Sequence, residues 1–460
     1  MTTWAPAGGF ENTRQDGSRA EGVSVLEWAA VGWCILLVLL SIVWPRYGFF
    51  ALGGAFKATP FTFMAMATWP LIGVLCLQLS FGRRLVGAFI TNPWLAASLV
   101  VWVFWRVFTA VLGETPDVSV TIVARDLLYF MPMWVLVVAI AARQDGLRII
   151  VGTIVIATAL VSLVALAEWT TGKSFSQLLG VQFAGSDTFL LGVSEVQFRG
   201  GSARLQSVFT HSIVFGQYLS FVAPIMAWAV WRGRGLIRLI AIPCLLILPI
   251  LAWNTGSRSS VLGVGVALAL FVALVTLRAA RRLTYTSILS LLFMGILALA
   301  AAGPLHNQAV ALIGGRTAVE ASSSLYRGAM YAKGMIAIQE RPVTGFGDGR
   351  AAYHAGFYGR KGVLTIDSAY LSTLLDSGWT GLVLLVTTWG LLLLSLIRSA
   401  LRLDAASEAT AFAAGIAGVL VVFSILSITD NVTLIFIGAG VAMAIRYRYI
   451  VQSLPTARPG

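Results

Sequence analysis

Long apolar runs recur along this chain of 460 residues, and they limit what it can fold into. A run of about 20 apolar residues can cross the hydrocarbon core of a bilayer as a helix, which bonds its own backbone polar groups. The mean hydropathy is +0.86, and only 11% of the residues are charged. The sequence therefore predicts an all-α polytopic membrane protein.

The apolar runs place about 12 transmembrane helices, each near the length that a bilayer requires. They cover residues 24–44, 60–80, 92–113, 127–143, 147–168, 212–231, 236–253, 260–277, 284–303, 379–398, 409–428 and 432–446. Between the ninth and the tenth lies a polar, turn-rich segment, 304–378. Because long ordered loops on a rigid scaffold commonly carry function, we expect a partly helical, functional loop there.

Basic residues cluster at alternate ends of the predicted spans. The clusters are Arg83 and Arg84, Arg143 and Arg148, Arg232 with Arg234 and Arg238, Arg278 with Arg281 and Arg282, Arg398 and Arg402, and Arg446 and Arg448. If the spans alternate, all of these fall on one side, which the positive-inside bias makes cytoplasmic. The net charge of +13 then reflects topology, and no nucleic acid partner is expected.

This topology predicts seven segments with both termini in the cytoplasm. They are an N-terminal tail at 1–23, five spans within 24–168, an outer loop at 169–211, four spans within 212–303, the large outer loop at 304–378, three spans within 379–446, and a C-terminal tail at 447–460.

The predicted outer segments also contain arginines. The positive-inside bias does not explain these residues, so their presence there needs another explanation. Arg204, Arg258 and Arg327 each lie near a membrane boundary. A guanidinium group suits phosphate oxygens, so these residues are predicted to bind an anionic substrate. Serines flank Arg258 at a helix start, where free backbone N–H groups also favour an anion. Ordinary serine capping beside a snorkelling arginine is the alternative interpretation.

Other outer residues are weaker candidates for substrate binding. They are His211, Tyr370, Arg125, Lys333 and, weaker again, Arg106. His211 opens a span, where it could contact a phosphate or simply lie at the interface.

Two residues of the polar segment are candidate catalytic bases. Asp367 precedes a predicted helix, 368–377, that ends at Gly378, and Arg327 lies on another at 322–340. A carboxylate near cations stays ionised and can accept a proton from a hydroxyl, although Asp367 could instead be an N-cap. His354 is the alternative base, because histidine titrates closer to neutral pH.

No cofactor or metal is expected. The sequence contains no Walker A motif, no Asp-x-Asp pair and no cluster with metal-ligand spacing. The cysteines (Cys34, Cys76 and Cys244) all lie within apolar runs and are predicted to be buried apolar side chains.

These motifs together resemble the O-antigen ligase and polysaccharide polymerase superfamily of bacterial envelopes. The resemblance covers roughly residues 200–400 and rests on three stretches. These are Thr255–Ser260, Arg327 followed by Glu340–Gly347, and Asp367–Leu371 running into Gly378–Leu382. It implies a metal-independent glycosyltransferase of the bacterial inner membrane, with its active site on the periplasmic side. The donor would be an undecaprenyl-diphosphate-linked oligosaccharide whose diphosphate is held by arginines.

One departure from the family pattern favours a polymerase. Ligases of this family commonly have a His-Asn pair, whose histidine assists the acceptor hydroxyl, where this chain has Asp367 and Ser368. The pattern is closer to exopolysaccharide and O-antigen polymerases, which transfer glycan to a lipid-linked glycan acceptor. The expected partners are the donor, the acceptor, the bilayer and other polysaccharide assembly proteins.

Three other functions stay open at this point. The first is an O-antigen ligase that transfers glycan to the lipid A core. The second is a flippase or transporter of lipid-linked glycan, which would be expected to have internal repeats and charges near the middle of the membrane. The third is a non-catalytic scaffold in a polymer-export complex.

Overall fold

The computed structural model describes residues 25–45, 50–51, 57–178, 196–199, 202–280, 318–358, 364–402, 407–426 and 431–453. This part of the chain is α-helical apart from three short antiparallel hairpins. The helices are α1 (Val25–Val43), α2 (Pro60–Cys76), α3 (Leu79–Thr91), α4 (Pro93–Leu112), α5 (Pro116–Ala141), α6 (Gly146–Thr171), α7 (Phe175–Leu178), α8 (Ser212–Arg232), α9 (Gly235–Asn254), α10 (Arg258–Ala280), α11 (Ala318–Ala337), α12 (Ala351–Ala355), α13 (Ala369–Arg402), α14 (Ser407–Phe423) and α15 (Val432–Ser453).

The hairpins connect helices and hold loop ends together. The pairs are β1 (Phe50–Ala51) with β2 (Lys57–Ala58), β3 (Gln197–Arg199) with β4 (Ser202–Arg204), and β5 (Phe357–Tyr358) with β6 (Leu364–Thr365). In the second hairpin Gln197 lies opposite Arg204. That pairing delivers Arg204 to the start of the segment that leads into α8.

The helices confirm a multi-pass membrane protein, although the predicted number of spans is not confirmed. Among the described residues, nine helices are long and apolar enough to cross a membrane, or up to ten if α2 and α3 form one bent span. The angle between α2 and α3 is 106°, so the predicted span 60–80 is sharply bent at its end. Residues 284–303 lie outside the described residues, and the helix predicted at 409–428 is shorter than expected.

Close packing of α8, α10 and α14 forms the centre of the bundle. A Cβ atom on Gly263 of α10 would collide with Ser220 of α8 and Val422 of α14, and one on Gly415 would collide with Phe221. Small residues let helix backbones approach closely where lipid provides no hydrophobic driving force. The three helices therefore form a rigid support beneath the loops at their ends.

A break in α13 receives the polar segment. Gly378 has φ 70° and ψ −177°, which divides α13 into two helical parts and agrees with the predicted helix end at this glycine. Phe346 and Gly347 donate backbone hydrogen bonds to the carbonyls of Leu375 and Asp376, at 2.8 and 2.9 Å. The turn that contains Phe346 thus satisfies carbonyl groups that the break would leave unpaired.

Replacing Gly378 with alanine is expected to destabilise the protein. This region of backbone space is nearly restricted to glycine, and strain there costs about 1–3 kcal/mol. An added Cβ would also collide with the carbonyl of Val343. Thermal unfolding in detergent measures the effect. Gly390→Ala is the matched control, because Gly390 lies on the same helix and its Cβ would meet nothing within 4 Å. Equal unfolding temperatures for the two variants would contradict this account of the break.

Candidate active site

Arg327 and Asp367 face each other where α11 crosses the start of α13. Nε of Arg327 lies 3.7 Å from Oδ2 of Asp367, and both side chains are partly buried. Tyr331, one turn after Arg327, donates a hydrogen bond to Oγ of Ser368 at 2.8 Å. These contacts bring together two residues that the sequence predicted to belong to one site.

Asp367 is not the residue that caps α13. Oγ of Ser368 accepts a hydrogen bond from the backbone N–H of Leu371 at 3.2 Å, which is the bond of an N-cap. The carboxylate of Asp367 is therefore available to Arg327 and to a substrate. Burial raises the pKa of Asp367 and the charge of Arg327 opposes that rise, so the group is a stronger base than an exposed aspartate.

Arg204 lies against the turn between α9 and α10. Its Nε donates to the carbonyl of Thr255 at 2.8 Å, and the N–H of Leu205 donates to the carbonyl of Asn254 at 2.9 Å. Gly256 in this turn has φ 59°, and a Cβ there would lie 3.1 Å from Cγ of Arg204. The turn leads directly into Arg258, the first residue of α10. Arg204 and Arg258, both predicted to bind phosphate, thus lie at the same short turn.

His211 caps α8 beside this turn. Its Nδ1 accepts a hydrogen bond from the N–H of Ile213 at 3.1 Å. Burial, together with the charge of Arg204, lowers the pKa of His211 to about 3. The ring is therefore neutral at physiological pH, with its proton on Nε2. It can donate one hydrogen bond to an anion but contributes no charge.

The pair Arg327 and Asp367 lies at the same end of the helix bundle as Arg204 and Arg258. The side-chain amide of Asn431 donates to the carbonyl of Val214 near the start of α8, at 2.7 Å. The N–H of Ala369 at the start of α13 donates to the carbonyl of Leu426 at 3.1 Å. The starts of α8 and α13 are thus tied to the connection between α14 and α15.

The remaining predicted site residues have other surroundings. The hydroxyl of Tyr370 donates to the carbonyl of Leu420 at 3.0 Å, so this ring anchors α13 to α14. Arg125 is 53% exposed and lies 3.5 Å from Asp126. Lys333 is exposed on α11. Their roles in binding stay predictions.

His354 joins α12 to the connection between α4 and α5. Its Nε2 lies 3.1 Å from Oε2 of Glu114, and its ring stacks on Phe346 with centroids 3.5 Å apart. Arg350 contacts the same carboxylate at 3.2 Å. Burial alone would raise the pKa of Glu114, but the hydrogen bonds and charges of His354 and Arg350 outweigh it and lower that pKa. Glu114 therefore stays ionised and holds His354 in place.

An ion-pair network beneath the polar segment could not be predicted from the sequence. Arg106 lies 2.6 Å from Oδ1 of Asp348 and 3.1 Å from Oδ2 of Asp126. These residues, together with Asp376, line one end of a cavity of about 120 Å³ whose remaining walls are largely apolar. The sequence did show Arg106 within an apolar helix, which indicates an ion-pair partner because a charge there needs one. The partner itself is 242 residues away in the chain.

Glu168 was also missed as a residue that supports the site. Its Oε2 accepts hydrogen bonds from the N–H groups of Gln206 and Ser207, at 3.0 and 2.6 Å. Ser207 has φ 52°, an unusual conformation for a residue other than glycine. The carboxylate at the end of α6 thus holds the turn between Arg204 and His211.

The fold and this site define a multi-pass membrane protein with a cationic, carboxylate-containing site at one end of its helices. Residues 242–386 match the family model described as O-antigen ligase. The match includes Arg258, Arg327 and Asp367, and it confirms the resemblance to the O-antigen ligase and polymerase superfamily. Members of this family are glycosyltransferase-like enzymes. A search of curated proteins found no match.

Replacing Glu168 with alanine is expected to loosen the turn that carries Arg204 and His211. Two buried N–H groups would lose their acceptor, at a cost of about 1–3 kcal/mol for each unsatisfied group. Chemical unfolding in detergent measures the loss. Asp117→Ala is the control, because Asp117 is an exposed acidic residue in the first turn of α5. A Glu168→Ala variant as stable as the Asp117→Ala variant would contradict the assigned role.

Proposed function

We propose that this protein is a polysaccharide polymerase of the bacterial inner membrane. It would transfer glycan from an undecaprenyl-diphosphate-linked donor to a sugar hydroxyl of a lipid-linked acceptor, at the periplasmic face. The pairing of Arg327 with Asp367, at the bundle end that also carries Arg204 and Arg258, is the observation that carries this proposal. It provides a cationic region for a leaving diphosphate next to a carboxylate that can accept a proton.

In this mechanism the arginines bind the diphosphate of the donor. Negative charge develops on the diphosphate as the bond to the anomeric carbon breaks, and preorganised cations stabilise that charge. Arg204 is held against the turn that begins α10, and Arg258 is the first residue of that helix. The positive dipole end of α10 adds to the attraction. Nε2 of His211 supplies a neutral hydrogen-bond donor nearby.

Asp367 acts on the acceptor in the same step. The acceptor hydroxyl oxygen attacks the anomeric carbon, its proton passes to the Asp367 carboxylate, and the bonding electrons leave with the diphosphate. Burial raises the pKa of Asp367, which favours proton uptake, and Arg327 orients the carboxylate. The arginines carry the developing charge, so the proposed step uses no metal ion.

The residues around Asp367 favour a polymerase over a ligase. The position after it is Ser368, whose hydroxyl caps α13 and accepts from Tyr331. Asp367 and Ser368 thus stand where the family's ligases are expected to have their His-Asn pair. A ligase that acts on the lipid A core is the alternative. A flippase is disfavoured because the candidate residues gather at one end of the bundle, whereas alternating access uses a site reached from both sides.

Replacing Arg258 or Arg327 with alanine is expected to abolish polymer while the protein level stays normal. Each change removes a cation from the diphosphate site, and losing one such group commonly costs 10²–10³-fold in rate, by analogy with oxyanion-hole donors. The glycans of cells carrying each variant in place of the native gene give the measurement. Arg83→Ala is the control, because Arg83 is an exposed arginine on α3 and lies outside the site. Wild-type polymer in both site variants would refute the diphosphate assignment.

The same glycan profile separates the candidate reactions. Single lipid-linked repeat units without polymer would support a polymerase. Long lipid-linked chains with uncapped lipid A would identify a ligase, and donor trapped on the cytoplasmic side would identify a flippase. Full activity of Asp367→Asn together with inactivity of His354→Ala would move the role of base to His354.

A further inference from the structure

A basic groove lies at the end of the helix bundle opposite the candidate active site. It has a volume of about 310 Å³ and is formed by the start of α4 and the last parts of α13 and α15. Asp367 precedes the first residue of α13, whereas Arg398 and Arg402 lie in its last turns. At 1.5 Å per residue, α13 measures about 50 Å along its path, so the groove is remote from Asp367.

Three arginines converge on this groove, and the described part of the chain gives them no carboxylate partner. Arg398 and Arg402 lie four residues apart on one face of α13, and Arg446 reaches the groove from α15. Among the described residues no acidic side chain lines the groove, and none of the three forms an ion pair with any of them. All three side chains are exposed. Like charges brought together in this way repel each other unless an anion lies between them.

Two arginines near the same end are neutralised within the protein. Arg84 lies 2.7 Å from Glu27, and Arg143 lies 3.3 Å from the other oxygen of the same carboxylate. A topological bias requires only that basic residues lie on one side of the membrane. It does not account for the convergence on one groove of guanidinium groups from two helices that form no ion pair with any described residue.

The rest of the groove suits the headgroup region of a bilayer. Trp94 and Tyr449, at its edge, are 78% and 50% exposed, and such rings favour the membrane interface. Leu391 and Leu394 form an apolar wall that an acyl chain could contact. Oγ of Ser395 is buried and makes no hydrogen bond in the described part of the chain. The groove therefore combines cations, a hydroxyl group and an apolar wall.

We propose that this groove binds the phosphate of an anionic phospholipid headgroup. The guanidinium groups of Arg398, Arg402 and Arg446 contact the phosphate oxygens, and the acyl chain lies along the leucines. Basic pockets between transmembrane helices recognise phosphate-bearing lipid headgroups in this way. The bound lipid holds the ends of α13 and α15 together. Because a ligand that binds only the folded state stabilises that state, the lipid also protects the protein against unfolding. This inference does not depend on the proposed polymerase activity.

Lipid-dependent thermal unfolding of the purified full chain tests the proposal. The probes are phosphatidylglycerol and phosphatidylcholine with the same acyl chains, added to protein in detergent. We expect phosphatidylglycerol to raise the unfolding temperature by several degrees more than phosphatidylcholine does. The triple variant R398Q, R402Q and R446Q should lose most of that difference. The control triple variant R83Q, R234Q and R238Q has the same change in charge, at exposed arginines outside the groove, and should keep it.

Three results would overturn the proposal. The two lipids could shift unfolding equally, or the groove and control variants could respond alike. Soluble glycerol phosphate could also reproduce the full shift, which would show a phosphate site that does not need a lipid. If the triple variant does not fold, native mass spectrometry of R402Q replaces it. Fewer bound phosphatidylglycerol molecules than in the wild type would support the groove, and equal numbers would refute it.

Discussion

The docking of the polar segment onto the break in α13 is the interaction on which the rest of this structure depends. A helix break near a membrane leaves backbone groups that lipid cannot satisfy. Here the turn around Phe346 donates to carbonyls before the break, and the N–H of Trp379, just after it, donates to the carbonyl of Pro342 at 2.8 Å. Asp376 adds side-chain acceptors for the N–H groups of Arg350 and Ala351. These bonds hold the segment, and therefore α11 with Arg327, over the start of α13.

Charge is used differently at the two ends of the bundle. At the site end, Arg327 faces Asp367 and Arg106 is paired with Asp348, so cations are held by carboxylates and hydrogen bonds. Such preorganisation suits catalysis, because the cations need not move as charge develops. At the other end, Arg398, Arg402 and Arg446 share a groove that no acidic side chain of the described residues lines. The excess of basic residues thus contributes to a candidate catalytic site at one end and to a candidate lipid site at the other.

The sequence predicted the parts of this molecule that depend on local pattern. Hydropathy located most of the spans, Gly378 located a helix break, and the residues around Arg258, Arg327 and Asp367 indicated the family. It could not predict pairings between distant segments, such as Arg106 with Asp348, because spacing along one chain does not specify which loops meet. It left Asp367 open as an N-cap or as a base, and the structure shows that Ser368 is the cap, while the role as base stays a prediction. Hydropathy likewise did not indicate the 106° bend between α2 and α3.

The most direct test of the central claim uses the purified protein in lipid nanodiscs, supplied with an undecaprenyl-diphosphate-linked oligosaccharide as both donor and acceptor. We predict that glycan chains lengthen and that one undecaprenyl diphosphate is released for each transfer. Replacing Arg327 with glutamine, which removes the charge opposite Asp367, should abolish both. Release of undecaprenyl diphosphate without chain growth, or equal chain growth by the Arg327→Gln variant, would contradict it.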